Sequence, residues 1–111
     1  MHTVVALPSA DELRRYVRDT LCDRDHLASD AVDFLEGFVR RAGRTCGVYF
    51  EVEGPRSMRS HAIWVSDEHR LLFYDSLGTR FADVKLSEAP DPQEWVRTGE
   101  GRSERQPAAV G

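Results

Sequence analysis

Hydrophobic residues recur at helical spacing through the first third of the chain. This period predicts one helix over about residues 10–22 and a second over about residues 26–42. Ser9 and Glu12 have the spacing of a capping box, which marks the start of the first helix. Gly43 stands where a left-handed residue would end the second helix.

From Cys46 onward the hydrophobic period changes to two, which is typical of half-buried strands. The alternation predicts four strands, over residues 46–54, 60–66, 70–75 and 79–86. Residues 3–7 form a short apolar run that fits an edge strand or a segment docked on the core. Trp95 and Val96 form an apolar pair that is expected to dock back onto the domain.

These elements predict a single α+β domain over residues 1–97. In this domain, two N-terminal helices pack on one face of a four-stranded antiparallel β-meander, in the order ααββββ. Residues 98–111 are rich in glycine and charged residues, which predicts a disordered C-terminal tail.

The strands at residues 60–66 and 70–75 form a hairpin whose register decides which side chains share a face. A three-residue loop at residues 67–69 gathers four apolar side chains into one layer, whereas a slip by one residue sets Val65 opposite Arg70. The three-residue loop is therefore the predicted register. Its cross-strand pairs are Val65 with Leu71, Ile63 with Phe73, and His61 with Asp75.

The second face of the predicted sheet is nearly as apolar as the first. It carries Trp64, Leu72, Tyr74 and Val84 at matching positions of neighbouring strands, which predicts one interface patch. A sheet with helices on one side and water on the other normally alternates cleanly. A homodimer or another protein partner is therefore the expected cover, with the chain termini as the alternative. In that case, Trp64→Glu should give a soluble, folded monomer.

Seven residues of the hairpin carry a likeness to a known family: His61, Trp64, Tyr74, Asp75, Ser76, Leu77 and Gly78. Together they resemble the His/Asp half of papain-like cysteine peptidases. The resemblance implies a hydrolase that uses His61 and Asp75, with Cys46 as its thiol. That family activates its nucleophile at the start of a helix, whereas Cys46 opens a predicted strand. We therefore expect a structural His61–Asp75 pair and no peptidase.

The charge of the chain narrows the remaining function classes. Fifteen basic and nineteen acidic residues give a formal net charge of −4, which argues against broad nucleic-acid binding. Arg56, Arg59 and Arg80 could still gather into a site for an anion or a single-stranded nucleic acid. No usual zinc spacing and no dinucleotide, nucleoside-triphosphate or zincin motif is present, so we expect no metal and no cofactor.

Together, these features predict a small protein-interaction or assembly module and not an enzyme. Two cysteines are too few for a disulfide scaffold, and the first residues lack the basic region of a signal peptide. No segment approaches the length of a membrane span. Lys85 is the one lysine among fifteen basic residues, and this arginine bias indicates a GC-rich bacterial genome. The prediction is therefore a cytoplasmic bacterial protein.

Overall fold

A computed structural model gives the fold of residues 3–24, 26–27, 32–54 and 58–97. Within these ranges the chain forms six strands and two helices. In chain order they are β1 (Thr3–Ala6), α1 (Ala10–Arg24), β2 (Asp33–Arg41), β3 (Arg44–Glu53), β4 (Arg59–Val65), β5 (Arg70–Tyr74), β6 (Arg80–Glu88) and α2 (Pro92–Arg97).

The six strands form one mixed sheet in the order β1-β6-β5-β4-β3-β2. Strands β2 to β6 make an antiparallel meander, and β1 lies parallel to β6 at one edge. Because β1 and β2 lie at opposite edges, α1 crosses a whole face of the sheet between them. The predicted fold, with two N-terminal helices on a four-stranded meander, is therefore wrong.

The error lies in residues 26–42, which were predicted as the second helix. Asp33–Arg41 instead forms β2, the edge strand that pairs with β3. Because an edge strand with apolar residues on both faces has no clear period of two, helical spacing misled the prediction. Its apolar residues are Phe34, Leu35, Phe38 and Val39.

The chain reverses after β2 through a turn of two residues. Ala42 and Gly43 have φ angles of 55° and 80°, and Arg41 pairs with Arg44 on the returning strand. Two consecutive residues with positive φ are typical of a tight hairpin. Gly43 is therefore left-handed, as predicted, but it lies in a hairpin and not at a helix end.

The first predicted helix agrees with α1. The capping box forms, since the Glu12 amide donates to the Ser9 hydroxyl at 3.2 Å and the Ser9 amide donates to the Glu12 carboxylate at 3.3 Å. The helix buries one apolar stripe against the sheet, formed by Leu13, Val17 and Leu21.

The hydrophobic core lies between the two helices and one face of the sheet. Trp95 of α2 is 3 % exposed and packs against Trp64 and Phe50, with ring centroids 5.6 and 6.0 Å apart, so its predicted docking is confirmed. The side chain of Val96 lies outside the described residues. The sheet contributes Val48, Phe50, Val52, Ala62, Trp64, Leu71, Phe73, Val84 and Leu86 to this core.

The hairpin of β4 and β5 adopts the register that the sequence disfavoured. Ser66–Glu68 forms a short 3-10 turn, and His69 has a left-handed φ of 53°. The loop therefore has four residues, and Val65 pairs with Arg70. Every cross-strand pair of the predicted register is shifted by one residue. Relative to the neighbouring strand, such a shift moves each side chain to the other face of the sheet.

The observed register buries the largest side chain of the hairpin. Trp64 lies opposite Leu71 and is 1 % exposed, whereas the predicted register turns it away from the helices. The guanidinium of Arg70 is satisfied within the sheet, since its Nε donates to Asp83 at 3.2 Å and its Nη1 to Glu68 at 3.0 Å. Burial of Trp64 thus outweighs the apparently poor pairing of Arg70.

The other predicted strands are close to those observed. The four predicted strands agree with β3, β4, β5 and β6 to within two residues at each end. β1 confirms the edge strand expected in residues 3–7. The disorder expected for residues 98–111 lies outside the described residues.

Candidate functional site

The face of the sheet that points away from the helices is lined by apolar and aromatic side chains. The apolar and aromatic residues of this outer face are Leu35, Val39, Tyr49, His61, Ile63, Val65, Leu72 and Tyr74. Glu51 lies on the same face, opposite Leu35 and His61. The eight apolar and aromatic side chains are partly buried, and neither described helix lies over them, because α1 and α2 pack on the core side. The solvated face of an antiparallel sheet normally carries polar side chains. The outer face departs from that pattern.

Three rings stack across the middle of the outer face. The ring centroid of His61 lies 5.5 Å from that of Tyr49 and 4.7 Å from that of Tyr74. The ring planes of His61 and Tyr74 differ by 10°. His61 and Tyr74 are directly opposed on β4 and β5, and Tyr49 is a diagonal neighbour on β3. Such contacts restrict the rotation of the rings, so these side chains form an ordered surface.

Burial shifts the pKa values of two of these rings, Tyr49 and His61, in the directions that keep them uncharged at neutral pH. The Tyr49 hydroxyl donates to Glu51 at 2.9 Å. Burial, together with this carboxylate, raises the pKa of Tyr49 to about 12. Burial also lowers the pKa of His61, against a smaller opposing effect of Glu51. Tyr49 and His61 are therefore uncharged at pH 7.

Charged residues at two ends of the outer face are paired with one another. At one end, Arg59 Nε lies 3.7 Å from Glu51 Oε2 and 3.8 Å from Glu53 Oε1. At the other end, the guanidinium of Arg70 is hydrogen-bonded to Asp83 at 3.2 Å. In these contacts each arginine is paired with acidic side chains of its own chain, next to the apolar surface.

His61 should make the stability of the fold depend on pH in a defined direction. Its pKa is lowered from 6.5 in the folded chain, so the unfolded chain binds this proton more readily. The free energy of unfolding should therefore decline as the pH falls below about 6.5, through the window between the two pKa values. His61→Phe keeps a ring in the stack and cannot titrate. Urea unfolding at pH values above and below this window should show a smaller decline for the variant, and equal declines would contradict the expectation.

The four residues predicted as one interface patch are divided between the two faces of the sheet. Leu72 and Tyr74 lie on the outer face, but Trp64 and Val84 are 1 % and 4 % exposed in the core. The predicted patch is therefore wrong as a set. The shift in the hairpin register explains the error for Trp64, and Val84 follows because it lies opposite Leu71 on the core side.

His61, Asp75 and Cys46 do not come together. His61 lies on the outer face, whereas Asp75 lies 3.7 Å from Arg24 of α1 on the helix side. The predicted His61–Asp75 pair is therefore wrong, and His61 faces Tyr74. Cys46 lies in β3, as predicted, and is partly buried, but it is about 16 Å along the strand from the level of His61.

Asp75 has a structural role in the turn between β5 and β6. Its carboxylate accepts hydrogen bonds from the backbone amides of Leu77 and Thr79, at 2.9 and 3.0 Å. The amide of Thr79, then that of Leu77, and the charge of Arg24 lower the pKa of Asp75, although burial opposes them. These contacts account for an aspartate at this position without a catalytic role.

The three arginines predicted as an anion site are not gathered by the described residues. Arg59 is already neutralised by Glu51 and Glu53. Arg80 is exposed at the start of β6, and Arg56 lies outside the described residues. No group of three metal-ligating side chains occurs in the part of the chain that the structure describes.

Two further results complete the description of the site. Neither α1 nor α2 is long and apolar enough to cross a membrane. No family model, curated protein or solved structure gives a significant match to this chain.

Proposed function

We propose that this chain is a protein-interaction module that assembles through its outer face, and that the partner there is a second copy of the chain. The observation that supports the proposal most strongly is an apolar, aromatic surface on the side of the sheet opposite the helices. Interface centres are enriched in tyrosine and poor in charge. Tyr49, Tyr74 and an uncharged His61 give the outer face that composition.

The extent of the outer face supports an interface. Large aromatic side chains can each bury about 150–250 Å². Contiguous apolar patches on soluble monomers rarely exceed a few hundred Å². Eight neighbouring side chains spread over four strands form one contiguous patch, and covering it would release about 25 cal/mol for each Å² of apolar area.

A second copy fits the charges around this surface. Arg59 is paired with Glu51 and Glu53, and Arg70 with Asp83, so neither arginine is left free for an acidic partner. Two copies related by a twofold axis would cover one outer face with another, and one self-complementary patch would serve both.

Leu72→Lys should separate the copies at the outer face while the fold is retained. Leu72 lies on this surface beside Ile63 and opposite Asp83 of β6, so a lysine there gains a carboxylate neighbour within its own chain. In the assembly, the same charge would be buried in the interface. Sedimentation equilibrium should show the average mass falling by about half at concentrations where the wild type is associated.

Leu77→Lys is the matched control. Leu77 is 88 % exposed in the turn between β5 and β6, away from the outer face, and the same substitution there should leave the mass unchanged. Circular dichroism should show both variants folded. If Leu72→Lys and Leu77→Lys sediment alike, the outer face is not where copies associate.

A further inference from the structure

His61 is the side chain among the eight apolar and aromatic residues of the outer face whose charge can change near neutral pH. It lies on β4, between β3 and β5 in the sheet. Its ring stacks on Tyr74, which is directly opposite, and on Tyr49, with centroids 4.7 and 5.5 Å apart. The imidazole is therefore fixed within the surface that a second copy would cover.

The charged groups of the described residues that face His61 come from its own strand and from the strands on either side. Glu51 lies directly opposite on β3, where its carboxylate accepts a hydrogen bond from the Tyr49 hydroxyl at 2.9 Å. Arg59, on the same strand as His61, places its Nε 3.7 Å from that carboxylate. Arg80 of β6 is one strand further away, beyond the tyrosine of β5. A proton on His61 would therefore add a charge beside an existing ion pair.

These neighbours are the same in a single chain and in an assembly, whereas the access of water is not. The His61 side chain is only partly buried in the single chain, so water reaches its open side. When a second copy covers the outer face, that water is removed. A charged ring then loses hydration without gaining a new partner from its own chain. The assembled state should therefore bind a proton less readily than the single chain.

We infer that protonation of His61 separates the two copies, which makes the outer face a pH-sensitive contact. This inference rests on the proposed function and adds its regulation. Burial already lowers the pKa of His61 in the single chain, and covering the ring acts in the same direction. Association is therefore strongest above the pKa of the single chain and weakens as the pH falls below it. A twofold pair contains two such rings, so both must be uncharged for the contact to form at full strength.

Sedimentation equilibrium at about pH 7.5 and about pH 5.5, on either side of the ordinary histidine pKa, tests the inference. The dissociation constant of the wild type should be higher at the lower pH by about tenfold or more, because two protonation events oppose each association. Circular dichroism at both pH values should show a folded chain. That measurement separates dissociation from the loss of stability that His61 is also expected to cause.

His61→Phe keeps a ring in the stack and cannot bind a proton. The variant should associate as the wild type does at about pH 7.5 and should keep that affinity at about pH 5.5. His26→Asn is the matched control, because His26 is exposed and follows α1, with its amide bonded to the Asp23 carbonyl. Asparagine tolerates the left-handed φ of 57° at this position. This variant should retain the full pH dependence.

Three results would overturn the inference and leave the proposed function intact. The first is an equal dissociation constant at the two pH values. The second is a constant that falls at the lower pH, which would mean that the charged ring gains a carboxylate from the second copy. The third is a pH dependence that persists in His61→Phe. Failure of the proposed function looks different, since the wild type then keeps the mass of one chain at about pH 7.5, or Leu72→Lys leaves its mass unchanged; either result removes the inference as well.

Discussion

Trp64→Glu is expected to unfold the chain and not to release a folded monomer. Trp64 is 1 % exposed between the sheet and α2, with its ring 5.6 Å from that of Trp95. Truncation of a buried tryptophan alone costs about 3–5 kcal/mol, and an unpaired buried carboxylate adds to that loss. Since small domains are stable by about 5–15 kcal/mol in total, the variant should lose its cooperative thermal transition.

Tyr74→Glu is the control on the opposite face of the same hairpin. Tyr74 lies on the outer face, so its substitution should leave a cooperative transition in circular dichroism and near-ultraviolet spectra. If Trp64→Glu is instead a folded monomer, Trp64 belongs to an interface, as the sequence pattern predicted, and the hairpin register described above is wrong.

Arg14→Met should destabilise the fold by roughly 3–5 kcal/mol, which is the range for removing one partner of a buried ion pair. Arg14 is hydrogen-bonded through Nε and Nη2 to Glu36, which is 6 % exposed, and its guanidinium lies 4.6 Å from the ring centre of Trp95. The substitution leaves the buried carboxylate without this guanidinium. Urea unfolding measures the loss as a lower midpoint with little change in slope.

Arg15→Met provides the matched control, because Arg15 is the next residue of α1 and is exposed. The double variant Arg14→Met/Glu36→Leu should recover most of the loss, since an apolar pair often replaces a buried ion pair without penalty. A loss for Arg14→Met no larger than that for Arg15→Met would show that the pair contributes little.

The sequence was sufficient for elements whose signals are local. The Ser9–Glu12 capping box and the alternation in β3 predicted their elements well, because hydrogen bonds to adjacent residues and a clear period define them. β2 was missed because the burial of this edge strand depends on α1, which crosses the whole face of the sheet. That contact leaves no local signal in the sequence of β2. Gly37 in the middle of the supposed helix was the available sign against it, since glycine weakens helices.

The outer face was predicted to exist, but most of its residues were misassigned. Pairwise matching favoured Val65 opposite Leu71, whereas the fold favours burial of Trp64 beneath α2. The sequence does not show Trp95 meeting Trp64, because that contact joins residues distant in the chain. Tyr49 carried a usable signal, since it alternates with the buried Val48 and Phe50 and so had to lie on the side away from the core.

If a second copy of the chain covers the outer face, sedimentation equilibrium of the wild type over a range of concentrations should detect the association. We expect an average mass that rises above the 12.6 kDa of one chain as the concentration increases. A mass of 12.6 kDa at every concentration, up to the limit of solubility, would contradict it.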